Sequence, residues 1–222
     1  MSGLPDEMID RWQDRAEPAP GEGLIYWHML VGADPDVGAL AHEARRRLAP
    51  FAGLHLTPPE RLHMSVLIAG PASEIDSDQV ARMAAAAARM LADVAPITVA
   101  LGKILYHPEA IMLAARPADA LMPVLEAARE ATRQVTGSPG RSGSKLASWT
   151  PHVTIAYSTA RQPASPIIKA LGMALQERDV KITAVSLVSQ RGAERSWDWH
   201  ELSSARWGHD LRLLPGRRPP ES

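Results

Sequence analysis

The sequence predicts an α+β fold of two pseudo-symmetric lobes, each an antiparallel-rich sheet backed by helices, with a central cleft between them. Three observations predict it. Short apolar, β-branched runs alternate with helical patterns over most of the 222 residues, enough chain for one large domain or two tightly packed lobes. The order strand, helix, loop, strand, helix occurs twice, beginning near residues 24 and 110. In each copy the second strand carries a histidine followed two positions later by a hydroxyl residue, in RLHMSVLIAG (61–70) and PHVTIAYST (151–159).

Taken in order, residues 5–16 read as a short amphipathic helix broken by PAPGEG, so that 1–22 form an N-terminal helical extension. GLIYWHMLVG, 23–32, is apolar, aromatic and β-branched, as a strand should be, and ends at Gly32. Residues 34–51 are a helix with Asp34 near its start and Pro35 in its first turn. GLHLTPPE is a loop and 62–69 a strand. Ser77 is placed to cap a helix through about Val94, rich in alanine. ITVALGKIL (97–105) and AIMLAA (110–115) are strands joined at HPE as a hairpin, and 118–135 is a helix whose Pro123 should lie in the first turn or kink it. A Gly/Ser-rich loop over 137–149 leads to strand 151–158, a helix over about 165–177, and strands at 181–189 and 197–203. The two-lobed domain thus spans 23–205, followed by a flexible tail over 206–222.

Bulk properties narrow the function. A formal net charge of −1 gives no global field for a long polyanion, so a short nucleic-acid end or a small nucleotide suits the chain better than a duplex. The absence of cysteine excludes disulfides, thiolate catalysis and thiolate-bound zinc. The N-terminus is acidic and amphipathic rather than a basic-then-apolar leader, and no apolar run reaches the roughly 18 residues of a membrane span. A cytoplasmic protein without a membrane partner or an obligate protein partner is expected.

Residues two apart in a strand share a face. His63 therefore projects with Ser65, and His152 with Thr154, while Met64, Val66, Val153 and Ile155 point into a helix-covered core. Across a pseudo-twofold axis the two imidazole–hydroxyl pairs would face each other. That set suits phosphodiester chemistry: one imidazole deprotonates the attacking oxygen, the other protonates the leaving oxygen, and the hydroxyls bond the non-bridging oxygens. No metal or other cofactor is required. A third match, His55-Leu56-Thr57, runs into Pro58-Pro59 and is assigned to a turn.

RLHMSVLIAG and PHVTIAY resemble the two signature strands of the two-histidine (2H) phosphoesterase superfamily, in particular its bacterial 2'-5' RNA ligase / RNA 2',3'-cyclic phosphodiesterase family. The 89-residue separation of His63 and His152 is similar to that family's, and the resemblance covers roughly 23–203. It implies a two-lobed α+β fold and metal-independent, ATP-independent chemistry on 2',3'-cyclic phosphates or 2'-5' bonds. The implied partner is a nucleotide or an RNA 3' end bearing a cyclic phosphate. By motif matching, His63 and His152 would be catalytic, and Ser65 and Thr154 would bind phosphate. Many relatives carry an arginine shortly after the second motif, where this chain has Tyr157.

Further candidates could line the substrate. Arg141 and Lys145 precede the second motif, Trp149 could stack on a base, His28 shares a strand face with Tyr26, and Arg191 follows the strand at 181–189. Each has a plainer reading as a solvated or packed residue. Two rival functions remain at this level. One is a non-catalytic nucleotide or RNA-end binding module on the same fold. The other is a metallohydrolase built on His28, His55 and His63, with Glu60 as the nearest acid.

Overall fold

The computed structural model describes residues 3–15, 22–141 and 149–208. The first strands and helices follow as β1 (Glu7–Met8), β2 (Leu24–Leu30), α1 (Pro35–Leu48), β3 (Leu54–Leu56), β4 (His63–Pro71) and α2 (Ser77–Met90). The hairpin β5 (Ile97–His107) and β6 (Ala110–Ala114) leads to α3 (Met122–Thr136) and β7 (His152–Ser158). The chain closes with β8 (Gln162–Pro163), α4 (Ala164–Leu171), β9 (Ala174–Ile182), β10 (Ala184–Gln190) and β11 (Trp199–Arg206). The fold is α+β with antiparallel pairing, as expected.

One nine-stranded sheet runs in the order β11-β10-β2-β4-β7-β6-β5-β9, with β3 paired to β7. Its middle is the β4–β7 seam, joined through Met64↔Val153. The repeat read from the sequence appears as β2-α1-β4-α2 and β6-α3-β7-α4. Each repeat's connecting helix crosses the seam: α1 packs on β9 beside α4, while α3 packs on β4 beside α2. Met64 and Val153 are fully buried, so the face opposite the histidines belongs to the core. Trp27 on β2 is likewise buried, and its indole N–H donates to Thr132 Oγ1 on α3 at 2.9 Å. A helix of one repeat is thereby pinned to a strand of the other.

Local signals explain the helices. Asp34 caps α1 by accepting from the N–H groups of Asp36 and Val37, with Pro35 at the start of the helix. The cap of α2 is Asp76 rather than Ser77: its carboxylate accepts from Gln79 N–H, while the Gln79 side chain accepts from Asp76 N–H. Pro123 falls in the first turn of α3, where no intrahelical bond is lost.

Five expectations are corrected. Residues 5–15, the described part of the expected helix over 5–16, are not a helix: β1 pairs with β8, Met8 is buried, and the N–H groups of Ile9 and Arg11 donate to the carbonyls of Pro108 and Ser158. Edge pairing and burial of one methionine outweigh a weak helical pattern. The helix over 165–177 stops at Leu171 because Gly172 takes φ 85°, and 174–182 becomes a strand with Leu175, Val180 and Ile182 buried against β5. The strand expected at 181–189 is thus two strands, β9 and β10. Residues 54–56 are also a strand, with His55 opposite Tyr157, so the third histidine–hydroxyl copy is not on a turn. At the C-terminal end β11 runs to Arg206 and Trp207 is buried, which moves the edge of the fold past 205. The rest of the expected tail, from 209, lies outside the described residues. Among the described residues no helix is long and apolar enough to cross a membrane.

Candidate active site

Antiparallel pairing of Met64 with Val153 decides how the two motifs meet. The neighbours of a paired residue point to the opposite face. His63 therefore stands beside Thr154 and Ser65 beside His152, all four on the side away from the buried Met64 and Val153. The two histidines are held alike. His63 Nδ1 donates to the carbonyl of Arg61 at 2.7 Å, and His152 Nδ1 donates to the carbonyl of Thr150 at 2.7 Å. A carbonyl can only accept, so Nδ1 carries a proton in both rings and Nε2 is left for other work.

Beyond this shared frame the half-sites differ. On β2, His28 lies opposite Ser65, and its Nε2 is 3.3 Å from Ser65 Oγ. The His28 ring stacks on His63 with centroids 4.1 Å apart and planes 15° apart, and Trp199 meets both rings edge-on. The residue opposite Thr154 is Met112 on β6, and the Thr154 side chain is instead hydrogen-bonded to Tyr157. Here the neighbours are Tyr157 and Arg11. The Arg11 guanidinium lies 4.4 Å from the Tyr157 ring centroid and makes two bonds to Glu194, of 2.6 and 2.7 Å, and one to Glu109 at 3.1 Å.

These placements set the charges. Burial pushes the His63 imidazole below its ordinary pKa; the bond to the Arg61 carbonyl and the Glu194 charge oppose that, and the His152 charge reinforces it. Burial also lowers His152, opposed by the Thr150 carbonyl and reinforced by Arg11 and His107. His28 is lowered well below its ordinary value by burial and then by His63. Burial would raise the Glu194 carboxyl, but Arg11 outweighs it and keeps the acid ionised. Burial holds the Tyr157 phenol neutral far above physiological pH.

His28, His63, Ser65 and Tyr157, all singled out from the sequence, line one pocket. His152 and Thr154 are half-buried on β7, across the seam from His63 and Ser65. The remaining candidates lie elsewhere. Trp149 packs against the core and spends its indole N–H on the Ser65 carbonyl at 3.1 Å, so it supports the β4 backbone rather than the pocket wall. Arg141 is exposed, with its backbone bridged to Ile68. Arg191 is exposed and outside the pocket lining. Lys145 lies outside the described residues.

Tyr26, read from the sequence as sharing a strand face with His28, also lines the pocket, which is completed by groups that sequence reasoning missed: Glu194, Trp197, Trp199 and Gln190. Trp197 takes φ 53°, rare for a bulky residue, and its indole N–H donates to His55 Nε2 at 3.1 Å. The acid and two tryptophans crowded into AERSWDW were the available signal for this wall. Arg11 had none, because its place depends on the β1–β8 pairing. His55 is engaged with Trp197, and among the described residues no group of three or more His, Cys, Asp or Glu is arranged to hold a metal ion, so the histidine trio of the metallohydrolase reading is not assembled.

Comparison with known proteins follows the same line. A family model for the 2'-5' RNA ligase superfamily matches residues 33–194. The chain shares the fold of TT0787 from Thermus thermophilus, at TM-score 0.62 and 17% identity over 84% of this chain and 99% of that one. It is similar to E. coli LigT, solved with 3'-AMP, at TM-score 0.59 and 12% identity over 86% of this chain and 100% of that one. A protein solved as a phosphoesterase gives TM-score 0.61 and 14% identity over 86% of this chain and 100% of that one. No curated protein matches the sequence.

Proposed function

The chain belongs to the 2'-5' RNA ligase superfamily, and we propose that it is a phosphodiesterase that opens 2',3'-cyclic phosphates of RNA ends or nucleotides without a metal. The observation that carries this reading is the matched pair of imidazoles, His63 and His152. Each is fixed through Nδ1 to the carbonyl two residues upstream, on facing strands with a hydroxyl beside it. Both Nε2 atoms remain for proton transfer.

Two nearby imidazoles repel each other's protons, so near their working pH the pair holds one proton: one ring is the base and the other the acid. The base takes a proton from water as its oxygen bonds to phosphorus. The bond from phosphorus to one ribose oxygen breaks, and the acid gives that oxygen its proton, leaving a phosphomonoester and a free hydroxyl. Ser65 and Thr154 donate hydrogen bonds to the non-bridging oxygens, where charge builds. With a 5'-hydroxyl in place of water and the 3'-oxygen leaving, the same site forms a 2'-5' bond. The E. coli relative's complex with 3'-AMP supports a nucleotide-sized ligand.

A second reading has its own observation. Arg11, the guanidinium nearest Tyr157, is committed to two carboxylates, which leaves little net positive charge for a phosphate. This favours a module that binds a nucleotide end without turning it over. One assay separates the two: 2',3'-cyclic mononucleotides and 2'-5' dinucleotides incubated with protein in EDTA, with products resolved by chromatography. The first reading expects phosphomonoester release that falls at least about 10²-fold in His63→Ala and His152→Ala. Binding without product would establish the second.

A further inference from the structure

We infer that His28 is a positioning residue that donates Nε2–H to Ser65 Oγ, so that the Ser65 hydroxyl proton points at the substrate phosphate. The inference rests on the phosphodiesterase reading for the identity of that phosphate. It rests on geometry for the rest.

His28 and Ser65 are register partners on β2 and β4, with Nε2 and Oγ 3.3 Å apart, and both face the pocket. A hydroxyl both donates and accepts, so the histidine tautomer decides which it does here. If Nε2 were bare, the serine would spend its only proton on His28 and turn lone pairs toward an anion. If Nε2 carries the proton, serine accepts from His28 and its own proton is free for a phosphate oxygen. The other ring nitrogen decides between them. Nδ1 of His28 is buried without a hydrogen-bond partner among the described residues. An orphaned N–H is rarer in proteins than an orphaned acceptor, which puts the single proton of the neutral ring on Nε2. Burial keeps the ring neutral.

The other half-site shows why a positioning group is wanted here. Thr154 is β-branched and restricted at χ1, whereas Ser65 has no methyl to limit its rotation. Opposite Thr154 stands Met112, and opposite Ser65 stands His28. A hydrogen bond holds the hydroxyl on each side, with Tyr157 at Thr154 and with His28 at Ser65, and Ser65 depends on its bond more because it has no methyl. Stacking on His63 and the edge of Trp199 hold the His28 plane in place.

Two experiments test this. In a double-mutant cycle on cyclic-nucleotide hydrolysis, His28→Phe keeps a flat ring without a donor, and His28→Gln restores an N–H donor. We expect His28→Phe to lower kcat about tenfold, His28→Gln to recover most of it, and His28→Phe to cost nothing further in Ser65→Ala protein. Equal losses from His28→Phe in both backgrounds would overturn the inference, because His28 would then act without Ser65. Independently of turnover, long-range 1H–15N spectra of the wild-type protein should show His28 protonated at Nε2 and bare at Nδ1. The opposite tautomer, or a charged ring at neutral pH, would refute it. A wild-type protein with no turnover but the expected tautomer would sink the phosphodiesterase reading and leave the His28–Ser65 bond standing.

Discussion

His63 and His152 use the same backbone device, yet charges of opposite sign act on them. The Glu194 charge favours a proton on His63, and the Arg11 charge disfavours one on His152. Arg11 and Glu194 are also hydrogen-bonded to each other, so the charges of one ion pair push the two rings in opposite senses. On the proposed phosphodiesterase reading, two similar halves must still distinguish acid from base. Here the repeated strands supply the symmetric part, and groups from outside the repeat supply the asymmetry. Arg11 comes from the N-terminal segment and Glu194 from the turn after β10.

The largest expected effect removes the symmetric part. His63→Ala and His152→Ala should each lower kcat by about 10²–10⁴-fold in steady-state hydrolysis of a cyclic nucleotide. If either variant kept full activity, the two strands would not form one site.

Next come the hydroxyls. Ser65→Ala and Thr154→Ala should each cost about 10–10³-fold in kcat, as for donors that meet developing charge. Thr154→Ser should cost more than Ser65→Thr, because only the first gives up the β-branch that fixes the hydroxyl. Equal effects of the two swaps would erase that contrast between the half-sites.

The charge contrast itself should show smaller, opposite changes. Glu194→Gln should lower the pKa of His63, and Arg11→Met should raise that of His152, both read by NMR titration of the ring carbons. Shifts in the same direction would show that the ion pair does not divide the two rings. In rate terms these variants should move the limbs of a bell-shaped pH profile and change activity only a few-fold at neutral pH.

The smallest expected effect concerns stability. The folded-state pKa of His28 is depressed by burial, so below the ordinary value of 6.5 the unfolded chain binds more protons than the folded one. Stability should therefore be fully present above about pH 6.5 and decline as the pH falls toward the depressed folded value. Urea midpoints at pH 7.5 and 5 should differ more for the wild type than for His28→Phe. No equivalent difference is expected for Met112→Leu, at the matching place on β6.

Particular residues show how far each kind of reasoning reaches. The two histidine–hydroxyl strands were legible because side chains alternate along a strand whatever its neighbours are, and because apolar residues fill the other face. Asp34 and Pro35 announced α1, and runs of apolar, aromatic and β-branched residues announced β2, β4 and β7, since capping and burial leave marks within a few positions. The family resemblance rested on those same strands and extended no further into the pocket.

The rest depended on contacts between residues far apart in the chain. Residues 5–16 carry a plausible helical pattern, and nothing nearby reveals that Glu7 and Met8 will pair with β8, more than 150 positions later, and deliver Arg11 to Tyr157. The left-handed Trp197 and the stack of His28 on His63 are likewise invisible locally. Local pattern can specify which strand carries an imidazole and which face it occupies, because that information is periodic in the chain. Which charge stands beside that imidazole follows from strand order and register, where distant segments meet, and so it was settled only in the folded molecule.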